Sequence, residues 1–356
     1  MSSAHHSHPG TAADGPRRRP GMSLRTGLRL GAAVAASGAL AATAALTLMA
    51  PASASAQVTA GSARYHFRTL DNAHDLTFNQ LLGINNNGKI AGYFGSGAKG
   101  HPNQGYRLLP PYQHGEYISE NFPGSVQTQV TGLNDFGISV GFWSSQNKAS
   151  LVNNNFGFYA KNGTHFHEVN FPTHDNASPP VNQLLGVNDR YVAVGFYTNG
   201  QGNNRGYEYN IGTHRFSRVL VPGAPAGKAG PSLTAAAINN RRDVAGFYTT
   251  SGGVTDGFLK TARGHFSTLA VPGASMTQAF GVNDFDQVVG AYAVGTGSTA
   301  TMHGFTWKRG HGFTTVDDPG GVGATTVNGV NDLGDLVGFY TDSNGNTDGM
   351  LALPRH

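Results

Sequence analysis

Gly329-Val330-Asn331-Asp332-Leu333-Gly334-Asp335-Leu336-Val337-Gly338-Phe339-Tyr340 decides how this chain is read. The same phrase, an aliphatic residue, an Asn, a short turn and a Gly with an aromatic close behind, recurs around Asn85, Asn134, Asn188, Asn239, Asn283 and Asn331. Successive anchors lie 49, 54, 51, 44 and 48 residues apart, the length of one four-stranded propeller blade rather than of a helical or leucine-rich repeat. Inside the unit the interval does not vary: Gly92, Gly141, Gly195, Gly246, Gly290 and Gly338 each stand seven residues after their Asn. A tight hairpin demands such constancy, because a slip of one residue would turn every side chain to the other face. The residues between carry turn chemistry, as in Asn85-Asn86-Asn87-Gly88, where Asn bonds its own backbone and Gly accepts positive φ. The anchor Asn is therefore first a turn residue.

Two further strands follow from each hairpin. A Gly-centred marker opens the third: Gln104-Gly105-Tyr106, Phe156-Gly157-Phe158, Arg205-Gly206-Tyr207, Asp256-Gly257-Phe258, His303-Gly304-Phe305 and Asp348-Gly349-Met350. A turn then leads to a fourth run such as His265-Phe266-Ser267-Thr268-Leu269. Four short alternating strands per unit fit a blade. The sixth unit ends at its third strand, yet Tyr65-His66-Phe67-Arg68-Thr69-Leu70 reads like the fourth strand of another unit. The expected fold is all-β: a six-bladed β-propeller of four-stranded blades, closed by an N-terminal strand that completes the last blade and leaves only short edges.

The ends and the composition set the context. Residues 1–56 hold five Arg, an Ala/Leu-rich run from about Leu28 to Met49, and Ala54-Ser55-Ala56, which together read as an export signal cleaved near Ala56. An uncleaved segment would instead tether the protein to a membrane. Pro20 and Gly21 follow the Arg triplet where a twin-arginine signal wants other residues. Residues 57–64 read as a short linker, 65–353 as one propeller domain and 354–356 as a tail. The whole chain has 24 Lys and Arg against 20 Asp and Glu, and without the leader the two are equal at 19 each. Such balance gives no basic footprint for nucleic acid. Cysteine is absent, so an exported domain of this kind relies on burial and ring closure. No cofactor motif is present, and the ring is read as a monomer.

The repeat resembles the bacterial "extracellular repeat, HAF family" proteins, whose units run G-x-N-x-x-G-x-x-V-G and then a His-Ala-Phe-like triplet. Gly329 to Gly338 match the first part, and the triplet keeps its His only at His303-Gly304-Phe305. The resemblance covers about residues 80–351. It implies an exported repeat protein and no established activity.

Candidate sites are few. Five residues before each anchor stand Gln80, Gln129, Gln183, Thr234, Gln278 and Thr326, a polar ring if the first strand of each unit lines the central channel. Amides and hydroxyls there would hold water, an ion or a sugar hydroxyl; a wet channel alone also explains them. The recurrent aromatics Tyr93, Phe142, Phe196, Phe247 and Phe339 read as packing between blades, with Ala291 the exception, offset by Phe280 or Tyr292. His165, His214, His265 and His311 recur before the fourth strand, one per unit, and are not spaced for a metal. Asp342 to Gly349 looks like a calcium loop but lacks the Gly at position six and the Glu at position twelve, so it reads as a hairpin turn. No nucleophile elbow, metalloprotease helix or phosphate loop appears, and catalytic residues are not assigned. The insertions 110–121, 144–155, 172–183 and 222–232 are where a rigid scaffold would place function. The sequence supports a binding module for an extracellular glycan or protein. A carbohydrate-active hydrolase or lyase with its site in these loops, or a structural surface protein, are the alternatives.

Overall fold

A computed structural model describes residues 58–147, 153–222, 231–250 and 252–355. The proposed export signal, and parts of the insertions 144–155 and 222–232, lie outside the described residues.

The described chain is all-β and propeller-like. Sheet 1 is formed by Asn79–Ile84, Ile90–Phe94, Gln104–Leu108 and Tyr117–Ser119. Sheet 2 comprises Gln127–Leu133, Ile138–Ser144, Phe156–Lys161 and His165–Val169. Sheet 3 comprises Asn182–Val187, Val192–Thr198, Asn204–Asn210 and Arg215–Arg218. Sheet 4 follows with Leu233–Ile238, Val244–Thr249, Thr255–Lys260 and Phe266–Leu269. Sheet 5 contains Met276–Val282, Val288–Val294, Thr301–Lys308 and Gly312–Thr315. In sheet 6, Thr325–Val330, Leu336–Thr341 and Thr347–Pro354 are joined by Tyr65–Thr69 from the other end of the chain. That last pairing is antiparallel and sets Phe67 opposite Ala352.

Within each sheet the strands meander antiparallel in chain order, the N-terminal strand of sheet 6 apart. A single parallel pair, Thr255 with Met276, links sheets 4 and 5. Inside the segment read as a linker, Thr59–Ala60 runs parallel to the outer strand of sheet 5 and Ser62 Oγ accepts the Asp317 N–H at 2.9 Å. Pro354, read as the start of a tail, closes the last strand opposite Tyr65.

The second strand of each sheet packs against the first strand of the next, and that of sheet 6 packs against sheet 1. Tyr106, Phe158, Tyr207, Phe258 and Phe305, one from each of the first five Gly-centred markers, are fully buried, as is Met350 of the sixth. Each contributes roughly 1.5–3 kcal/mol by leaving water. The residue after each marker Gly thus helps to fill the hydrophobic core. Tyr93, Phe142, Phe196 and Phe339 are buried as well, and Phe280 meets Phe247 edge-on at 5.9 Å.

Every first strand carries a β-bulge. The register shifts between Leu81 and Gly83, Val130 and Gly132, Leu184 and Gly186, Ala235 and Ala237, Ala279 and Gly281, and Val327 and Gly329. A bulge re-aims the side chain of its extra residue. Those residues, Leu82, Thr131, Leu185, Ala236, Phe280 and Asn328, line a narrow axial cavity of about 40 Å³. Backbones meet closely beside it: a Cβ on Gly329 would lie 3.0 Å from the Gly83 Cα, and one on Gly83 would lie 3.1 Å from the Gly132 Cα.

Candidate functional site

The anchor hairpins gather at one mouth of the axis. In every unit the anchor Asn Oδ1 accepts the backbone N–H two and four residues on, as Asn188 does from Arg190 and Val192, both at 3.0 Å. This is the turn role expected from sequence. The other end of the same amide does something the sequence reading missed. Asn85 Nδ2 donates to the Asn134 carbonyl at 2.9 Å, Asn134 to Asn188 at 3.1 Å, and Asn188 to Asn239 at 2.9 Å. Asn239 donates to Asn283 and Asn283 to Asn331, each at 3.0 Å, and Asn331 returns to Asn85 at 3.3 Å. All six side chains are buried, where an unpaired amide would be costly.

A second girdle lies one residue further out. The N–H of each residue after the anchor donates to the side chain of its counterpart in the next unit: Asn86 to Asp135 at 2.9 Å, Asp135 to Asp189 and Asp189 to Asn240 at 2.8 Å. Asn240 continues to Asp284 at 2.7 Å, Asp284 to Asp332 at 2.8 Å and Asp332 back to Asn86 at 2.9 Å. The Asn86 amide bridges Asp135 and Asp332, both at 3.1 Å, and Asn240 bridges Asp189 at 2.9 Å and Asp284 at 3.0 Å. The crown therefore carries four carboxylates and two amides around a depression of about 80 Å³. Burial lifts the Asp189 carboxyl above its ordinary range; the Asp135 N–H and the Asn240 amide oppose this, and the charges of Asp135 and Asp284 add to it. Position after the anchor was a readable signal, since only Asn and Asp occupy it.

Around this crown the hairpin tips expose apolar side chains. Phe136, Phe285 and Leu333 are 65%, 60% and 69% exposed, and Tyr191, 42% exposed, stacks beside Phe136 at 6.3 Å. Arg241 occupies the corresponding tip in unit 4 and pairs with Asp243 and Asp286.

The expected polar ring sits away from this mouth. Gln80, Gln183, Thr234 and Thr326 are buried, and Gln129 and Gln278 half-buried. Gln80 accepts the Tyr93 hydroxyl at 2.8 Å, Gln129 donates to Asn103 at 2.9 Å, Gln183 to Asn155 at 2.6 Å, and Thr234 accepts the Asn204 amide at 3.0 Å. Each of the six has its backbone carbonyl against the Gly of the next strand, where a Cβ would collide with it. The residues lining the axial cavity and the mouth are the bulge residues, the anchors and their neighbours instead.

Among the described residues no group of three or more His, Asp and Glu is arranged to hold a metal. His167 stacks on Tyr159 at 4.6 Å, and Glu168 accepts the Asn170 amide at 2.7 Å. Asp342 caps its own turn, taking the Asn344 and Asn346 N–H groups at 2.8 Å each. On sheet 5 a hydroxyl, an imidazole and a carboxylate stand in line. Thr301 Oγ1 lies 3.0 Å from His303 Nε2, and His303 Nδ1 lies 2.8 Å from Asp317 Oδ2. Asp317 is held by the Gly304 N–H at 3.1 Å, and the Tyr292 ring stacks on His303 at 5.3 Å. That order is the one by which a base activates a hydroxyl.

No protein-family model and no curated protein matches the chain. Among solved structures, AofleA from Arthrobotrys oligospora is similar at 14% identity and a TM-score of 0.47 over 83% of this chain and 90% of that one. A PL25 ulvan lyase bound to -[GlcA(1-4)Rha3S]- is similar at 12% identity and a TM-score of 0.40, over 77% and 78%. The SapL1 lectin in complex with alpha methyl fucoside is similar at 11% identity and a TM-score of 0.44, over 75% and 89%.

Proposed function

We propose that the chain is an exported six-bladed β-propeller of the HAF-repeat kind, closed by its N-terminal strand, which acts as a binding module for an extracellular glycan at the anchor-hairpin mouth. Closure is supported by the girdle bonds that return from Asn331 to Asn85 and from Asp332 to Asn86. Export rests on the leader sequence of residues 1–56.

One observation carries the binding reading: exposed Phe136, Tyr191, Phe285 and Leu333 surround a crown of carboxylates and amides. Exposed apolar side chains gathered on one face mark an interaction site. Aromatic faces suit the C–H faces of sugar rings, while carboxylates and amides accept from and donate to hydroxyls. The crown is already fixed by its own girdle, so little ordering cost falls on the ligand. The test is a glycan array probed with the chain from residue 57 onward, in parallel with Phe136→Ser/Phe285→Ser. Retention of a glycan that the double variant loses is expected. An empty array, or retention that ignores both substitutions, overturns the reading; capture of a protein instead would assign the face to that class.

The Thr301–His303–Asp317 line favours a second reading, a secreted hydrolase using Thr301 as nucleophile. In it, Thr301 Oγ attacks an ester carbonyl while His303 takes its proton and passes it to the leaving alcohol, and water then releases the acid. Hydrolysis of p-nitrophenyl acetate that falls to background in both Thr301→Val and His303→Ala would establish it; equal rates in all three proteins would remove it.

A further inference from the structure

The outer flank of sheet 1 differs at one position from those of sheets 2 to 5, as does that of sheet 6, where Asp318 holds the equivalent place and donates its N–H to Thr325 at 3.2 Å. Two or three residues beyond the end of the fourth strand, the connection to the next sheet places Phe122 against sheet 2 and Phe171 against sheet 3, and Val221 and Val271 pack against the clusters of sheets 4 and 5. Phe171 shows what this residue does. It stacks on Tyr197 at 4.8 Å and packs on Tyr207 at 5.4 Å and Phe216 at 5.3 Å. Phe122 fills the same place among Trp143, Phe158 and Phe166. In the connection leading to sheet 1 the equivalent residue is Asn72, and the site is open.

The result is a cleft of about 460 Å³, within the range of small-molecule sites. Phe94, Tyr106 and Tyr117 form its aromatic wall, the counterparts of the rings that enclose Phe171. His74 stacks on Phe94 at 5.9 Å, and Gln104 and His114 add polar groups. None of the lining residues is Asp, Glu, Lys or Arg.

A second, independent observation concerns a hydroxyl. Tyr106 is 1% exposed and its Oη has no hydrogen-bond partner. In sheet 3 the corresponding Tyr207 Oη accepts the Asn182 amide at 3.0 Å, while Asn182 Oδ1 takes the Phe171 N–H at 2.9 Å. Asn79 is the counterpart of Asn182. Its Oδ1 takes the Asn72 N–H at 2.9 Å, but its Nδ2 turns to the Asp75 carbonyl at 2.6 Å and leaves Tyr106 alone. A buried phenol without a partner costs free energy that a ligand acceptor would relieve. Burial also raises Tyr106 well above the usual phenol range, which keeps the donor proton in place.

We infer that this cleft is a binding site, separate from the mouth, for a neutral hydroxylated ring of pyranoside size, which stacks against Phe94 and Tyr117 and accepts the Tyr106 hydroxyl. The absence of charged groups in the lining selects against acidic and cationic ligands, since a charge there would be desolvated without a partner. The site shares no residue with the crown, so it stands or falls apart from the mouth reading.

The experiment titrates methyl glucopyranoside, methyl galactopyranoside and methyl mannopyranoside, with glucuronate alongside, into the chain from residue 57 onward, read by amide chemical shifts. Three proteins are compared: wild type, Tyr106→Phe and Asn72→Phe. The Asn72→Phe change installs the residue found in sheets 2 and 3, and its N–H still reaches Asn79, so its melting temperature stays level or rises. Expected are shifts confined to sheet 1 with at least one neutral pyranoside, an affinity about fivefold weaker in Tyr106→Phe, no binding in Asn72→Phe and none of glucuronate. Equal binding in Asn72→Phe overturns the assignment of the cleft. Wild type that binds none of the three pyranosides overturns the ligand class.

Discussion

Replacing Asn188 by Ala removes three hydrogen bonds from a buried turn: those accepted from Arg190 and Val192 and the one donated to Asn239. At about 1 kcal/mol net for each, the loss comes to about 3 kcal/mol, and the orphaned Asn239 carbonyl, buried beneath the crown, pushes it upward. For a domain of this size that corresponds to a fall in melting temperature of roughly 5–10 °C. Asn188→Asp separates the two roles. It keeps the acceptor for the turn but sets a carboxylate against the Asn239 carbonyl, so it too destabilises, although the turn survives. Asn87, at the tip of its hairpin and exposed, is the control, and Asn87→Ala changes stability little. Urea unfolding followed by tryptophan fluorescence and far-UV circular dichroism measures all three. A loss below about 1 kcal/mol for Asn188→Ala, the range of an ordinary surface change, would refute the girdle as a structural tie. So would an Asn188→Asp variant as stable as wild type.

Other expectations follow from single residues. Asp71 is pushed up to about 6 by burial, which outweighs the Gly349 N–H it accepts and is reinforced by the charges of Asp348 and Asp342. A carboxyl raised in the fold binds more protons there than in the unfolded chain, so its contribution to stability is lost as pH climbs through about 4 to 6. Asn121 and Asn170 hold the same position and accept the Gly105 and Gly157 N–H at 3.0 and 3.2 Å, so Asp71→Asn fits. Its melting temperature should overtake that of wild type above about pH 6, and parallel curves from pH 4 to 7 would contradict this. Gly195→Ala drives a Cβ into the Gln183 carbonyl and should cost several kcal/mol or prevent folding, seen as loss of soluble, circular-dichroism-competent protein. A fully stable variant would show that the hairpin does not need the seventh-residue Gly. Glu120, buried and paired with Arg107 at 2.5 Å, also hydrogen-bonds Ser139 of sheet 2. Glu120→Gln therefore leaves Arg107 under-partnered and should destabilise, whereas Glu120→Leu/Arg107→Leu should recover most of the loss; a double variant weaker than the single one would contradict this.

Much of the scaffold was legible because each unit repeats its chemistry at fixed positions. The hairpins, the Gly-centred strands and the likeness of residues 65–70 to 264–269 all correspond to observed strands and pairings. The polar ring was harder to place, for a physical reason. Alternation presumes an unbroken ladder, and the bulge after Leu81, Val130, Leu184, Ala235, Ala279 and Val327 breaks it in every unit. Its extra residue is Leu, Thr, Leu, Ala, Phe and Asn in turn, so no residue type announces it. The outward half of the anchor amide was hidden too, since its partner lies between 44 and 54 residues away along the chain, or 246 at the closing step. The crown and rim, by contrast, left a signal that the sequence reading passed over, a column of Asn and Asp followed in three units by Phe136, Phe285 and Leu333. The open flank of sheet 1 needed connections of unequal length to be aligned, which only the shared bond from residue 72, 122 or 171 to the next first strand makes possible.

Closure of the ring by the N-terminal strand is the claim on which the rest stands, and the absence of cysteine from the chain allows a clean test. Phe67 and Ala352 face each other across the strands Tyr65–Thr69 and Thr347–Pro354, which places their Cβ atoms within reach of a disulfide. Oxidation of Phe67→Cys/Ala352→Cys, followed by mass spectrometry of the proteolysed protein, should yield one intramolecular bridge in essentially every molecule and a melting temperature above that of the reduced form. Free thiols after oxidation, or bridges only between molecules, would mean that the two ends do not meet.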